Sequence, residues 1–349
     1  MKDISIGVDL GGTNLRIAAV DERGELVEKI TLSAKGSLGP DQIVDDMCGA
    51  IQRMTEKFKD STVLRGIGIG VPGIIDMQAG MVRGSPNLPG WADYPVRDEI
   101  ERRLKTTVIL ENDANVAALA EKWLGAATDF PDMGMLTLGT GVGGGLVLGG
   151  AIWHGANGMA GEFGHITVEP GNGHLCGCSN RGCLEQYASA SAVVRMAREA
   201  IAADGGSALA RAAKSDPEFS AKLIYDLAMQ GDENARRIFR EMGRYLGIAL
   251  AALVNFLNLP IYVIGGGASN AWDAFSPSLF EELRRRSFVY AATAPPDPKA
   301  ANDDPAARLK ARDGRKTVIA RALLGSDAGL YGAARLPMLS EAKLSEAKR

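Results

Sequence analysis

The feature that most constrains the fold is an internal repeat in which a glycine turn joins two short apolar segments. The first copy, residues 4–20, turns at Gly11-Gly12, and the second copy, residues 135–148, begins its turn at Gly139, about 130 residues later. Short apolar runs bounded by glycine are typical of β-strands, and helical patterns follow each copy. The sequence therefore predicts an α/β protein with two related domains and a ligand in the cleft between them.

The predicted domain boundaries follow from this repeat. We expect a small α/β domain of residues 1–115 completed by a C-terminal helix at about 317–335, and a large α/β domain of residues 116–316. Residues 291–315 contain four prolines among Ala, Asp and Lys and few apolar side chains. That composition predicts a mobile surface insertion, whose role the sequence leaves open.

Composition excludes several classes of protein. Glycine makes up 43 of the 349 residues without a Gly-X-Y period, which excludes collagen, and a hydrophobic content of 46% excludes a disordered chain. The net charge of −3 argues against a nucleic-acid partner. The chain starts without a signal-like apolar stretch, and its longest apolar region, 246–264, is interrupted by Asn and Pro. We therefore expect a soluble cytoplasmic protein without a membrane partner.

A cluster of cysteines and histidines indicates a metal site. Cys176, Cys178 and Cys183 lie within eight residues, too few and too close to pair off among themselves, and a reducing cytosol disfavours disulfides. The histidines of the chain lie just upstream, and either His165 or His174 would complete a Cys₃His set. Four protein ligands are typical of a closed, structural Zn²⁺ site, and the alternative is a group of reduced thiols without metal.

The first glycine hairpin has the residues of a phosphate-binding turn. Glycines allow backbone N–H groups to approach phosphate oxygens, a threonine adds a hydroxyl, and an aspartate can hold Mg²⁺ or its water shell. The residues are Asp9, Gly11, Gly12, Thr13 and Asn14. An ordinary tight hairpin is the alternative.

The second hairpin is neither a Walker loop nor a Rossmann turn, because it lacks the lysine and a strand follows it. Its candidate nucleotide-binding residues are Thr140, Gly141 and Gly143. Another glycine run, Gly265, Gly266 and Gly267, ends a predicted strand and could let an adenine lie against the backbone. Three such turns in one chain favour a nucleotide triphosphate as the ligand.

These hairpins, together with Glu162-Phe-Gly-His165 and the Cys-x-Cys loop, resemble the ROK family of sugar kinases and repressors, within the actin-like ATPase superfamily. The resemblance runs from about residue 9 to 334, apart from 291–315, and is strongest to the bacterial glucokinase group. It implies two actin-like (ribonuclease H-like) domains, ATP with Mg²⁺, a structural Zn²⁺ and a homodimer. The implied reaction is phosphorylation of the 6-hydroxyl of glucose.

The resemblance leaves alternatives open. Another hexose or N-acetylhexosamine (fructose, mannose or N-acetylmannosamine) is a possible substrate, polyphosphate a possible donor, and a non-catalytic sugar sensor a possible function. Repressors of the family carry a helix-turn-helix domain ahead of the first hairpin, whereas eight residues precede Asp9. We therefore do not expect a repressor.

The resemblance also implies the roles of individual residues. Asp113 follows a predicted strand and opens a predicted helix, so spacing alone allows either a helix cap or a general base, and the family assigns the base. The family assigns zinc to His165 with Cys176, Cys178 and Cys183, and Ser179 stands where its pattern has glycine. The implied sugar-binding residues are Gly73, Asn87, Asn112, Asp113, Glu162, His165 and Glu185.

Overall fold

The computed structural model describes residues 2–34, 39–85, 88–215 and 219–346. Two five-stranded sheets form its framework, and a two-stranded ribbon accompanies the first. The strands are β1 (Lys2–Leu10), β2 (Asn14–Asp21), β3 (Leu26–Ser33), β4 (Thr62–Val71), β5 (Ile74–Asp76), β6 (Met81–Gly84), β7 (Ile109–Asn112), β8 (Met133–Leu138), β9 (Val142–Leu148), β10 (Ala151–Ile152), β11 (Ile261–Gly265) and β12 (Val318–Arg321).

Most helices of the second half of the chain follow one another in two runs, before and after β11. The described helices are α1 (Gly39–Phe58), α2 (Val96–Leu104), α3 (Asp113–Trp123), α4 (Glu185–Ala188), α5 (Ala190–Ala203), α6 (Ala208–Ser215), α7 (Ala221–Met229), α8 (Glu233–Leu257), α9 (Trp272–Arg286), α10 (Phe288–Thr293), α11 (Pro298–Asp303), α12 (Pro305–Asp313) and α13 (Ala328–Glu346).

The two large sheets have the same topology. The first sheet has the order β3-β2-β1-β4-β7 and the second the order β10-β9-β8-β11-β12. When the strands of each sheet are numbered along the chain, both sheets therefore have the order 3-2-1-4-5. β1 is antiparallel to β2 and parallel to β4, and β11 is parallel to both β8 and β12. This confirms the predicted α/β class and the internal repeat.

Each glycine hairpin joins the first and second strands of its sheet, whose buried residues form the apolar cores. In the first sheet, Ile6 and Val8 of β1 pack with Met47 and Ile51 of the amphipathic helix α1. The hairpins are thus turns at the ends of strands that are anchored by buried apolar side chains, which holds their backbone in place.

The chain divides into two compact units. The first comprises Met1–Pro131, Gly145–Gly161 and Ser326–Arg349, and the second Asp132–Gly144 and Glu162–Gly325. These bounds differ from the sequence-based ones, because α3 and the segment after the second hairpin group with the first unit. Residues 318–321, expected to be helical, form β12.

Close packing of α13 explains why α3 groups with the first unit. At Gly332 a Cβ atom would overlap the backbone of Val116 on α3, and at Gly7 and Gly68 it would overlap the backbone of α13. Glycine at these positions lets the helix lie directly on β1, β4 and α3. Part of the glycine excess therefore serves helix packing, a role that the sequence patterns did not predict.

The segment 291–315, expected to be a mobile surface insertion, is helical over most of its length. The segment contains the end of α10 and all of α11 and α12, with Asp297 and Asp304 accepting hydrogen bonds as N-caps. Ala301, Asn302 and Arg308 are buried, and the Asn302 Oδ1 accepts a hydrogen bond from the Arg321 N–H at 2.8 Å. Pro298 and Pro305 begin helices instead of interrupting them, since the first helical turn does not need their N–H groups.

Within the described part of the chain, no helix combines the length and apolar character that crossing a membrane requires.

Candidate functional site

The first candidate element is the β1–β2 hairpin of the first unit. The Gly11 N–H donates to the Asn14 carbonyl at 2.8 Å, which closes a tight turn, and Gly12, Thr13 and Asn14 are exposed. An exposed glycine turn of this kind has room for a phosphate group against its backbone.

Asp9 lies at the end of β1, directly beside this turn. Its carboxylate is 3.2 Å from the Arg16 guanidinium on the paired strand, and Arg16 also donates to the Ser326 carbonyl at 2.8 Å. Burial raises the pKa of the Asp9 carboxyl above its ordinary value, and Arg16 partly offsets that rise. Gly329, in the first turn of α13, leaves the space that the carboxylate occupies. A carboxylate oxygen is a hard donor of the kind that Mg²⁺ or its water shell prefers.

The second element is the junction of β7 and α3, where Asp113 is the first residue of the helix. Asn112, not Asp113, is the N-cap: its side-chain oxygen accepts hydrogen bonds from the Ala114 and Asn115 N–H groups at 2.9 and 3.2 Å. The capping alternative for Asp113 thus loses its main support, although the Asp113 Oδ1 also accepts from the Ala114 N–H at 2.8 Å.

Two of the other predicted sugar-binding residues lie together at this junction. The Asn112 Nδ2 donates to the Gly73 carbonyl at 3.2 Å. Gly73 has a φ of 111°, and a Cβ atom there would overlap the Gly84 carbonyl, so the position requires glycine. Asn87, the third, lies outside the described residues.

Sequence reasoning missed Glu111 and His154 at the same junction. Glu111 is buried, with 3% of its surface exposed, and its Oε2 lies 2.6 Å from the His154 Nε2. His154 was grouped with the metal cluster because of its place in the sequence, and it is absent from the cluster that the structure forms. The sequence signal for Glu111 was an acid directly ahead of Asn112.

The third element is the β8–β9 hairpin of the second unit. The Gly139 N–H donates to the Gly141 carbonyl at 2.9 Å, and Thr140 is exposed at the tip. The Val142 N–H donates to the Glu185 Oε2 at 3.0 Å, and the Glu185 carboxylate fills the space beside Gly141. Glu185 is thereby fixed against the hairpin by a backbone hydrogen bond.

The predicted metal ligands come together as a compact set. One ligand atom each of His165, Cys176, Cys178 and Cys183 lies within 4.8 Å of all the others. The Cys178 and Cys183 sulfurs are 3.6 Å apart, and the Cys176 sulfur is 3.6 Å from the His165 Nδ1. Zn–S bonds of ~2.3 Å and Zn–N bonds of ~2.0 Å in a tetrahedron place ligand atoms about 3.5–3.8 Å apart. Three thiols and an imidazole at these separations fit Zn²⁺.

The backbone of the loop explains two sequence features. Ser179 has a φ of 71°, the left-handed region that favours the glycine of the family pattern. Gly182 has a φ of 77°, and a Cβ atom there would overlap the Glu169 carbonyl, whereas Gly177 has open space around it. Gly182, more than Gly177, is therefore required for the loop to turn.

The structure also separates the two candidate histidines. The His174 Nε2 lies 2.9 Å from the Arg195 Nη1, and His174 stacks at an angle on Tyr187, with ring centroids 5.7 Å apart. The His165 ring, with Nδ1 toward the cysteines, places its Nε2 3.8 Å from the Glu162 Oε2. The Glu185 Oε1 lies 3.7 Å from the Cys176 sulfur. Glu162, His165 and Glu185 are thus grouped around the metal cluster.

The fourth element is the turn after β11. Gly266 has a φ of 83°, and a Cβ atom there would overlap the backbone of Leu138, while Gly267 has open space.

A cavity of about 440 Å³ lies elsewhere in the second unit and includes the tip of the second hairpin. Its lining includes Thr140, Ser191, Arg195, Arg198 and Ser220. The two arginines beside the hairpin were not anticipated from the sequence, and they make the cavity suitable for an anion.

Comparison with known proteins agrees with this geometry. The sequence model of the ROK family matches residues 5–337. A glucokinase of Halalkalibacterium halodurans is 39% identical over 94% of this chain and 92% of its own length, and one of Thermotoga maritima is 39% identical over 82% and 87%.

A solved structure of a ROK family protein has a similar fold. The ROK family glucokinase of Streptomyces griseus, in complex with glucose and AMPPNP, superposes with a TM-score of 0.76 at 33% identity, covering 95% of this chain and 98% of its own. The predicted actin-like fold is therefore confirmed. With paired glycine hairpins, a Cys₃His cluster and a family match over nearly its whole length, the chain belongs to the ROK family.

Proposed function

We propose that this protein is a glucokinase, which transfers the γ-phosphoryl group of ATP to the 6-hydroxyl of glucose. The observation that carries the proposal is identity of 34–39% to curated glucokinases over most of the chain, together with the likeness to a glucokinase that binds glucose and AMPPNP. The Asn112–Asp113 junction and the metal-linked group of Glu162, His165 and Glu185 support it.

Asp113 is the proposed general base. The sugar hydroxyl loses its proton to the Asp113 carboxylate as its oxygen attacks the γ-phosphorus and ADP leaves. Protein groups catalyse such transfers chiefly by positioning and by electrostatic stabilisation. The first turn of α3, capped by Asn112, holds the carboxylate in place and supplies the positive end of a helix dipole.

The proposed sugar contacts are Gly73, Asn87 and Asn112, together with the group of Glu162, His165 and Glu185. Carboxylate, imidazole and amide groups donate and accept hydrogen bonds, as recognition of a polyhydroxy ligand requires. When zinc is bound at the Nδ1 side of His165, its Nε2 carries the proton and can donate to a sugar oxygen.

The nucleotide contacts are proposed for the glycine hairpins and the turn after β11. The backbone N–H groups of Gly11, Gly12, Thr140 and Gly141 would bind phosphate oxygens, and Gly265–Gly267 would accommodate the adenine. Asp9 would hold Mg²⁺ or its water shell, and the ion would supply charge that neutralises the phosphates. Homodimer formation is also proposed, from the family alone.

A substrate panel tests the proposed function. Formation of the sugar phosphate is measured with glucose, fructose, mannose, N-acetylglucosamine and N-acetylmannosamine, each with ATP or polyphosphate as the donor. Release of ADP is followed in the ATP reactions and in a sugar-free control. We expect kcat/KM to be highest for glucose with ATP. A higher value for an N-acetylhexosamine would reassign the substrate, and sugar-independent turnover alone would contradict a kinase.

A further inference from the structure

Glu111 is a buried carboxylate whose two oxygens are both engaged. Its Oε1 accepts hydrogen bonds from the Asn112 N–H at 2.9 Å and from the Asn115 Nδ2 at 3.0 Å, and its Oε2 lies 2.6 Å from the His154 Nε2. Because carboxylate oxygens accept hydrogen bonds, we assign the His154 Nε2 as the donor in this contact.

The three donors come from different parts of the chain. Asn112 and Asn115 belong to the junction itself, but His154 lies 43 residues away, just after β10, and its side chain is 40% exposed. His154 thus connects the first turn of α3 to the segment Gly145–Gly161 within the same unit. Of the three donors to Glu111, His154 is the one that comes from a distant part of the chain.

The orientation of the proposed base depends on these contacts. Glu111 holds the N–H of Asn112, and Asn112 in turn caps the helix and donates to the Gly73 carbonyl. Asp113 follows immediately, with its Oδ1 on the Ala114 N–H. Without its His154 donor, a buried carboxylate must rotate toward another donor or admit water, because an unsatisfied buried charge is costly. Either change moves the Asn112 backbone to which Asp113 is attached.

We propose that His154 is a positioning residue, which acts through Glu111 to fix Asn112 and Asp113 for phosphoryl transfer. The expected effect of His154 on kcat rests on the proposed function. The other part of the proposal, that the imidazole N–H orders the first turn of α3, does not depend on the reaction.

The test compares His154→Gln with His154→Asn. A glutamine amide can reach the place of the imidazole Nε2, whereas an asparagine amide is one methylene too short. We expect kcat with glucose to fall about 10- to 100-fold in His154→Asn and in His154→Ala, since a displacement near 1 Å can cost about 10² in rate. His154→Gln should stay within threefold of the wild type, and KM for ATP within threefold in all. Trp153→Ala, which truncates the exposed neighbour, is the matched control and should keep wild-type kcat.

A second measurement needs no catalysis. Hydrogen exchange of the Asn112–Asn115 amides should be faster in His154→Asn than in the wild type and should return to the wild-type rate in His154→Gln. Equal exchange and equal kcat in the two amide variants would overturn the proposal, and so would a His154→Gln variant as slow as His154→Asn. A wild-type protein that phosphorylates no sugar would contradict the proposed function, and the exchange comparison would still decide the role of His154.

Discussion

The two sheets share one strand order and differ in the length of chain after the third strand. In the first sheet, β3 ends at Ser33 and α1 begins at Gly39, whereas in the second, β10 ends at Ile152 and the next α-helix, α4, begins at Glu185. The longer connection contains the Cys₃His cluster, Glu162 and His165. The repeated framework thus supplies two equivalent glycine hairpins, and the longer connection of the second sheet adds the Cys₃His cluster and part of the proposed sugar contacts.

The loop is built differently from the rest of its sheet. Isolated bridges join Thr167 to Cys183 and Leu175 to Arg181, and Leu175 is exposed. A loop with few buried apolar contacts gains its order from cross-linking ligands, as small metal-stabilised domains do. The proposed base is therefore the first residue of α3 in the first unit, and the second unit contains the proposed metal-stabilised group of sugar contacts.

The largest expected effect is on the base. Asp113→Asn should lower glucose-dependent kcat by about 10²–10⁴ or more, because general-base assistance contributes a factor of that size. Sugar binding, measured by calorimetry, should remain. Asp98→Asn changes an exposed acid in the first turn of α2 and serves as the matched control. Near-wild-type turnover of Asp113→Asn would remove Asp113 as the base and with it this division of roles.

The second effect concerns Asp9 and separates function from stability. Because burial raises the pKa of Asp9, the folded protein binds that proton more tightly than the unfolded chain, and the ionised group lowers stability as the pH rises above ~3.9. Asp9→Asn should therefore leave Tm at neutral pH unchanged or higher, while kcat/KM for ATP falls about 10²-fold through lost electrostatic stabilisation. A fall in both Tm and activity would contradict this assignment.

The third effect tests whether zinc binds to the Cys₃His cluster in the connection between β10 and α4. Wild-type protein purified without chelator should contain about one zinc per chain by elemental analysis. Cys178→Ser should lose it, with Tm lower by about 10 °C, the equivalent of roughly 3–4 kcal/mol in a domain of this size.

Cys48→Ala provides the matched control for that measurement. Cys48 is a buried thiol of α1, and burial raises its pKa to about 11, so it stays protonated. The Cys48→Ala variant should keep full zinc content. Loss of zinc from Cys48→Ala, or its retention in Cys178→Ser, would contradict the ligand set.

The smallest effect tests the backbone of the loop. Ser179→Gly should raise stability by about 0.5–1 kcal/mol, because Ser179 holds a left-handed conformation that glycine adopts without strain. Gly177→Ala, at a position with open space, should change Tm little, whereas Gly182→Ala should lower it. If Gly177→Ala and Gly182→Ala change Tm equally, this loop conformation is wrong.

Some features of the protein were determined by the sequence alone. The alternation of apolar runs with glycine turns predicted both hairpins, and the spacing of three cysteines predicted the metal cluster. These are short-range patterns, in which one strand, one turn or one loop brings the residues together. Local geometry is enough to predict them.

The tertiary structure decided the rest. The choice of His165 over His174, the packing of the proline-rich segment as helices, and the placing of α3 in the first unit depend on distant neighbours. So does the contact of Glu111 with His154, 43 residues apart. Buried polar groups take their partners from whatever packs against them, and the order of residues along one strand does not contain that information.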